Sequence, residues 1–382
     1  MRIVYLDNHA TTPLDPRVLD AMLPYFTEIF GNAASRQHEF GWRAEAAVER
    51  ARKQVAALVG ARPEEVIFTS GATESINLAL RGIARRGSHI VTVATEHHAV
   101  LDTAGVLERA GCQVTLLPVD QYGMVDPDDI SKAIRPETVL VSVMAANNEI
   151  GTLAPIREIA VLCRGRGVIF HSDATQAVGR IPLHMEEIAD LLSLSAHKMH
   201  GPKGIGALII RRRKPPIELI PQITGGGHER GLRSGTPNVP AIVGFGAAAE
   251  IALKEGIPGQ SAIANRRDRL VGMLREKIDG LAINGHPEQR LANNASVTFE
   301  HASAGAVMMA MKDVAVSAGS ACSSASSEPS HVLRAIGLSR EVAESTIRFG
   351  LSRFTTDEEI AFAAERVTEA VREVRSRALA HA

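Results

Sequence analysis

The sequence predicts an α/β fold: a large domain built on a mainly parallel sheet, followed by a smaller α+β domain. Three observations predict it. From Val66 onward short β-rich runs alternate with helical periodicity. The runs are continuously apolar, as strands covered on both faces are. Polar turns, several containing glycine, follow their carboxyl ends.

The chain opens with a short strand, 3–6, and a polar turn, Asp7-Asn8-His9-Ala10-Thr11-Thr12-Pro13. Helical periodicity then covers 16–58. It is interrupted by the loop Gly31-Asn32-Ala33-Ala34-Ser35, and Gly60 suits a helix C-cap. Strands are expected at 66–68, 89–94, 113–119, 138–144, 168–170, 191–194 and 207–210, with helices near 72–86, 98–109, 127–135 and 155–165. Ligands of such sheets collect at the carboxyl ends of the strands. Residues 70–75, 96–98, 147–149, 173–176 and 195–198 are therefore expected on one rim. A Gly-rich crossing, Gly225 to Gly231, and an apolar helix over 239–253 close the large domain, 14–256. Residues 1–13 and 257–382 form the small domain, with helices near 261–279, 305–312 and 357–378.

At 382 residues the chain exceeds a single simple core. A net charge of -1 gives no electrostatic case for nucleic acid or an anionic membrane, so the partner is a small molecule or a protein. The 239–253 stretch is interrupted by Glu250 and is shorter than the ~20 residues of a membrane span. Asp7 breaks the N-terminal apolar run, so no targeting segment is expected. Three scattered cysteines do not make a disulfide framework, and a cytoplasmic location fits them.

Lys198, in Ser195-Ala196-His197-Lys198, follows an apolar strand and precedes Gly201, Pro202 and Gly204. It is either a desolvated, nucleophilic amine in a cleft or a lysine in a surface turn. Phe68 to Ser75 is a strand, a glycine turn and a helix start. It suits an anion such as phosphate, and equally an ordinary junction with Ser70 as N-cap. Asp173 ends a buried strand and needs a cationic partner. A protonated pyridine nitrogen would serve, and a lysine 25 residues later is what a pyridoxal phosphate site also needs. His97 could stack on such a ring. His97, His98, His197 and His200 lack the ligand spacing of a metal site, so no metal is assigned. Cys322, among serines, alanines and glycine, is expected to be exposed and able to act as a nucleophile, whereas Cys112 and Cys163 read as buried filling.

These motifs, from Tyr5-Leu6-Asp7-Asn8-His9-Ala10-Thr11-Thr12-Pro13 to Arg348-Phe349-Gly350-Leu351-Ser352-Arg353-Phe354, resemble the NifS/IscS-type cysteine desulfurases. These belong to the class V aminotransferase family, of fold-type I among pyridoxal phosphate (PLP) enzymes. The resemblance implies PLP on Lys198, its pyridine nitrogen on Asp173, its ring hydroxyl region held by Gln176 and Asn148, and His97 stacked on the ring as a proton carrier. It implies a phosphate held by Ala72, Thr73, Ser195 and His197, with Thr236 reaching in from a second subunit of a homodimer. Arg348 would grip the carboxylate of L-cysteine, with Asn148 and Asn8 nearby. Cys322 would receive the sulfur as a persulfide and pass it to an iron-sulfur scaffold or another acceptor, where it could also serve as a transient cluster ligand. Thio-modification, a selenocysteine lyase and a non-catalytic sulfur carrier are the alternatives. Two departures stand out: Ala196 replaces a frequent glycine and is expected to crowd the backbone, and Ala33 replaces a frequent proline.

Overall fold

The computed structural model describes residues 3–318 and 329–381; Cys322 lies outside the described residues. In chain order the strands are β1 (Val4–Tyr5), β2 (Val66–Thr69), β3 (His89–Val93), β4 (Gln113–Leu117), β5 (Thr138–Ser142) and β6 (Ile169–Asp173). They continue with β7 (Leu191–Ser195), β8 (Gly206–Ile210), β9 (Leu281–Asn284), β10 (Asn294–Phe299), β11 (Val314–Ala315) and β12 (Thr346–Gly350). Seven form one sheet, ordered β2-β8-β7-β6-β5-β3-β4. Its pairs are parallel except those made by β8, which runs against both β2 and β7.

The chain's own chemistry builds this sheet. Strands β6 and β7 are buried along nearly their whole length, as layers of helices on both faces require. Two buried histidines cross-link neighbouring strands: His171 bridges Ser142 Oγ (2.8 Å) and Ser193 Oγ (2.9 Å), and His89 bridges Thr138 and Thr115. A polar atom inside a sheet must find a partner, so these contacts fix register as well as stability. Helix Glu39–Leu58 ends with Gly60 at φ 60°, the left-handed residue anticipated from the sequence. Edge strand β2 is covered: Arg52 donates to Val66 O, and Glu229 of the Gly-rich crossing accepts from Phe68 N–H.

A second core gathers around the antiparallel sheet β12-β10-β9 and the helices Gln260–Lys277, Ala304–Ala310 and Asp357–His381. Val4 and Leu6 belong to this core, and β1 pairs with β11. The N-terminal turn that follows is thereby delivered against Gly350 of β12 and onto the rim of the large sheet. No described helix is long and apolar enough to cross a membrane.

Candidate active site

A cleft of about 400 Å³ opens at the carboxyl ends of the strands of the large sheet. All five rim segments expected from the sequence contribute to its wall: Ser70 to Glu74, His97, Asn148, Asp173 to Gln176, and Ser195 to Lys198. Arg348 reaches it from β12, and His9 and Ala10 from the N-terminal turn.

Lys198 follows β7 in a short 3₁₀ turn. Its Nζ donates to His9 O (2.6 Å) and Ala10 O (2.8 Å), so the ammonium faces a pair of carbonyls and not open solvent. The surface-turn alternative is thereby answered. Ala196 is fully buried, and a Cβ placed on Gly201 would come within 2.8 Å of Ala196 Cβ. Because residue 201 is glycine, the space beside the Ala196 methyl stays open.

Asp173 ends β6, with Oδ1 accepting from Thr175 N–H (2.9 Å) and from the Thr175 hydroxyl. Glu96 lies behind it, fully buried; one oxygen accepts from Met144 N–H and the other has no partner among the described residues. Burial first, and the Asp173 charge second, hold the Glu96 carboxyl protonated well above the usual range. His97 caps helix His98–Arg109, its Nδ1 accepting from Ala99 N–H (3.1 Å). The proton of its neutral ring is therefore on Nε2. Burial lowers its pKa, and Asp173 works in the opposite direction.

Helix Ala72–Ile83 starts at the cleft. Its N-cap is Gly71, not Ser70, and no side chain caps it, so the first-turn N–H groups face the cleft uncapped. Gly206 of β8 allows this turn to pack: a Cβ there would stand 2.7 Å from Gly71 Cα. Glu74 accepts from Ser70 N–H and pairs with Arg233 (2.9 Å). His197 bonds Thr11 Oγ1 (3.1 Å), and burial pushes its pKa down to about 4, so the ring is neutral at pH 7. His200 bonds Pro13 O and packs edge-on against Phe354.

Arg348 is buried between the N-terminal turn and the rim. Nη2 donates to Asp7 Oδ1 (2.9 Å), Nη1 to Asn148 O (2.9 Å), and Nε has no partner among the described residues. A guanidinium in a cleft wall is suited to a carboxylate. Asn8 is not part of the cleft wall; it is buried, and its amide ties the turn to Gly350 O (2.8 Å). Thr236 is exposed and also outside the cleft wall. On either side of residues 319–328 the described chain is tied close to the rim. Ser317 exchanges backbone hydrogen bonds with Arg348, and Ser330 donates to Glu149. Cys112 and Cys163 are buried as expected, and burial pushes the Cys163 thiol up to about 12.

Sequence reasoning missed His9 and Arg180, which touch Gln176 and the lysine backbone. The available signals were a histidine inside a polar turn and an arginine standing in an otherwise apolar run, Ala177-Val178-Gly179-Arg180-Ile181.

The class-V aminotransferase model matches residues 4–362. "Cysteine desulfurase IscS" of Anaeromyxobacter sp. (strain Fw109-5) is 55% identical over 377 residues, covering 97% of this chain and 93% of that protein. "Cysteine desulfurase" of Mus musculus is 50% identical over 380 residues, covering 98% and 83% respectively. Among solved structures, a "NifS-like protein" superposes with a TM-score of 0.89 at 38% identity, covering 97% of this chain and 99% of that one. "SspA in complex with cysteine" does so at 0.82 and 36%, covering 92% and 99%. The chain belongs to the class-V aminotransferase family and, within it, to the NifS/IscS-type cysteine desulfurases.

Proposed function

We propose that the chain is a PLP-dependent cysteine desulfurase that takes sulfur from L-cysteine, releases L-alanine and carries the sulfur as a persulfide on Cys322. Enzymes of this family are generally PLP-dependent. The observation that carries the reading is the single cleft that joins Lys198, Asp173, His97 and Gln176 to an uncapped helix start and to Arg348.

The residues present suit the cofactor. Lys198 would hold it through Nζ. Asp173 would meet a protonated ring nitrogen, and Gln176 and Asn148 the ring oxygen. The Ala72 and Thr73 N–H groups, with Ser195 and His197, would meet the phosphate. Bound PLP supplies an electron sink for the electrons of the substrate Cα–H bond. Arg348 binds and orients the substrate carboxylate, and its guanidinium, held in the cleft wall by Asp7 and Asn148 O, supports that role. His97 offers a proton at Nε2. The Cys322 thiolate attacks the substrate sulfur: the S–S bond forms, the C–S bond breaks with its electron pair left on Cβ, and one proton delivered to Cβ and one returned to Cα complete alanine.

A homodimer belongs to this reading. Large apolar side chains crowd the exposed stretch 19–42, among them Phe26 at 58%, Phe30 at 64% and Trp42 at 54% exposure, which is the mark of a covered surface. Thr236, on an exposed loop tied to Glu74 through Arg233, would serve the partner's phosphate. The domains would divide as 14–256 and as 1–13 with 257–382, in line with the N-terminal strand's place in the second core. A cytoplasmic site suits the free thiol that Cys322 must keep. The acceptor is proposed to be an iron-sulfur scaffold, as the resemblance to the NifS/IscS-type enzymes implies.

The test is alanine released from L-cysteine by the PLP-loaded protein, beside Cys322→Ser and Lys198→Ala, with persulfide labelling. The reading expects alanine and a protein persulfide in the wild type. It expects a retained chromophore without persulfide in Cys322→Ser, and no covalent cofactor in Lys198→Ala. A Cys322→Ser protein that still delivered persulfide sulfur would overturn it.

A further inference from the structure

One chain of polar groups behind the cleft has every hydrogen-bond role forced, because it begins and ends on groups that can only donate or only accept. Arg290 Nη2 donates to Asn294 Oδ1 (3.2 Å), and Glu149 O accepts from Asn294 Nδ2 (3.0 Å). Asn294 Nδ2 is thus fixed as the donor, and it also meets His9 Nε2 at 3.2 Å. That nitrogen must be the bare one, so the proton of the neutral ring sits on Nδ1, 3.0 Å from Gln176 Oε1. Arg180 Nη1 donates to the same oxygen (3.2 Å) and to Gln176 O (2.6 Å), while Nη2 donates to Lys198 O (2.8 Å). Gln176 Nε2 gives one proton to His9 O (3.0 Å). The amide is therefore not free to turn over, and its second N–H is the donor left for the cleft that Gln176 lines.

Charge acts in the same direction. Arg180 is buried and pairs with no carboxylate among the described residues; burial alone pushes its pKa down to about 10. His9 is also buried. Burial, then Arg348 and Arg180, hold its pKa well below the ordinary value, so the tautomer derived from geometry is that of a neutral ring.

We infer that Arg180 and the Asn294–His9 pair are positioning residues: they lock Gln176 with its N–H toward the cleft, so that the site favours an anionic oxygen there, the deprotonated ring oxygen of the cofactor. The inference rests on the proposed PLP reading. A donor aimed at an ionised oxygen lowers that oxygen's proton affinity, and an amide turned over would raise it.

The test is a spectroscopic pH titration of the chromophore in the holoenzyme, with cofactor retention measured by dialysis and folding by circular dichroism, for wild type, Arg180→Met and Asn294→Leu. Arg180→Met is expected to move the titration midpoint up by about one pH unit, roughly a tenfold change in proton affinity. Asn294→Leu alters no charge and is expected to move it in the same direction. An unchanged midpoint in both overturns the inference, and so does a shift in Arg180→Met alone, which would mean charge and not orientation. Should Arg180→Met fail to fold, Arg180→Lys replaces it. It keeps the charge but lacks the planar fork that spans Gln176 and Lys198, and an upward shift is again expected. Wild-type midpoints in both Arg180→Lys and Asn294→Leu overturn the inference. A wild-type protein that takes up no PLP overturns the proposed function and this inference together.

Discussion

The pair Arg52–Glu229 makes a quantitative prediction. Both side chains are nearly buried, at 6% and 8% exposure, and they meet through two bonds, Nη2 to Oε1 at 2.8 Å and Nη1 to Oε2 at 2.9 Å. Arg52 also donates to Val66 O (2.9 Å) and stands 4.7 Å from the Phe68 ring centre, while Glu229 accepts from Phe68 N–H (2.8 Å). Arg52→Met would leave the Glu229 charge inside the protein with one neutral donor. Removing one partner of a buried pair costs about 3–5 kcal/mol, whereas the half-exposed Glu49 contact adds less than about 1 kcal/mol. In Arg52→Met/Glu229→Gln no buried charge is left, and an acceptor remains for Phe68 N–H. The double variant should therefore recover about 2 kcal/mol relative to the sum of the single changes. Urea unfolding midpoints, compared at a common slope, provide the measurement. A loss below about 1 kcal/mol in Arg52→Met, or strict additivity in the double variant, would refute the argument that this pair seals the sheet edge and seats the loop leading to Thr236.

Other perturbations follow from the same contacts. His171 is neutral in the fold, with a pKa pushed down to about 3 by burial, and it takes a proton near pH 6.5 when unfolded. Stability from this group is complete above pH 6.5 and is lost at about 1.4 kcal/mol per pH unit as acid is added toward pH 3. His171→Gln should lower stability at pH 8 and flatten the acid limb by that slope in urea titrations from pH 8 to 4; an unaltered limb would contradict it. Gly201→Ala places a methyl 2.8 Å from Ala196 Cβ and 2.9 Å from Ala196 O, which predicts a loss of about 1–3 kcal/mol. Ala196→Gly should restore only part of it, because the carbonyl stays; full restoration in a thermal melt would place the strain wholly in the side chain. Phe30→Glu, on the exposed aromatic stretch where the Phe30 and Phe40 ring centres lie 5.3 Å apart, should convert the proposed dimer to monomer in sedimentation. A sedimentation profile unchanged by Phe30→Glu would remove that surface from the interface.

The large sheet was legible because its strands obey a simple rule. Strands buried on both faces are apolar throughout, and the polar turns after them mark their carboxyl ends, so Asp173, Lys198 and the Ser70 to Glu74 turn could be placed on one rim before any coordinates. Strands β9, β10 and β12 gave no such signal. In β10, Ala295, Val297 and Phe299 face the apolar core, while Ser296 and Thr298 are also buried and meet Asn284 and Thr346. A strand whose buried face is polar reads as a loop until its partners are known.

The same distinction divides the site. Sequence alone determined the residue types at the strand ends and their order along the chain, because local periodicity dictates where a buried strand stops. Only the tertiary structure decided that Asp7 and Asn148 hold Arg348, that two carbonyls of the N-terminal turn receive Lys198 Nζ, and that Arg180, His9 and Asn294 settle the orientation of Gln176. The physical reason is that a buried polar group is defined by what satisfies it. For these groups the satisfying atoms lie up to 341 residues away in the chain, beyond the reach of any local pattern.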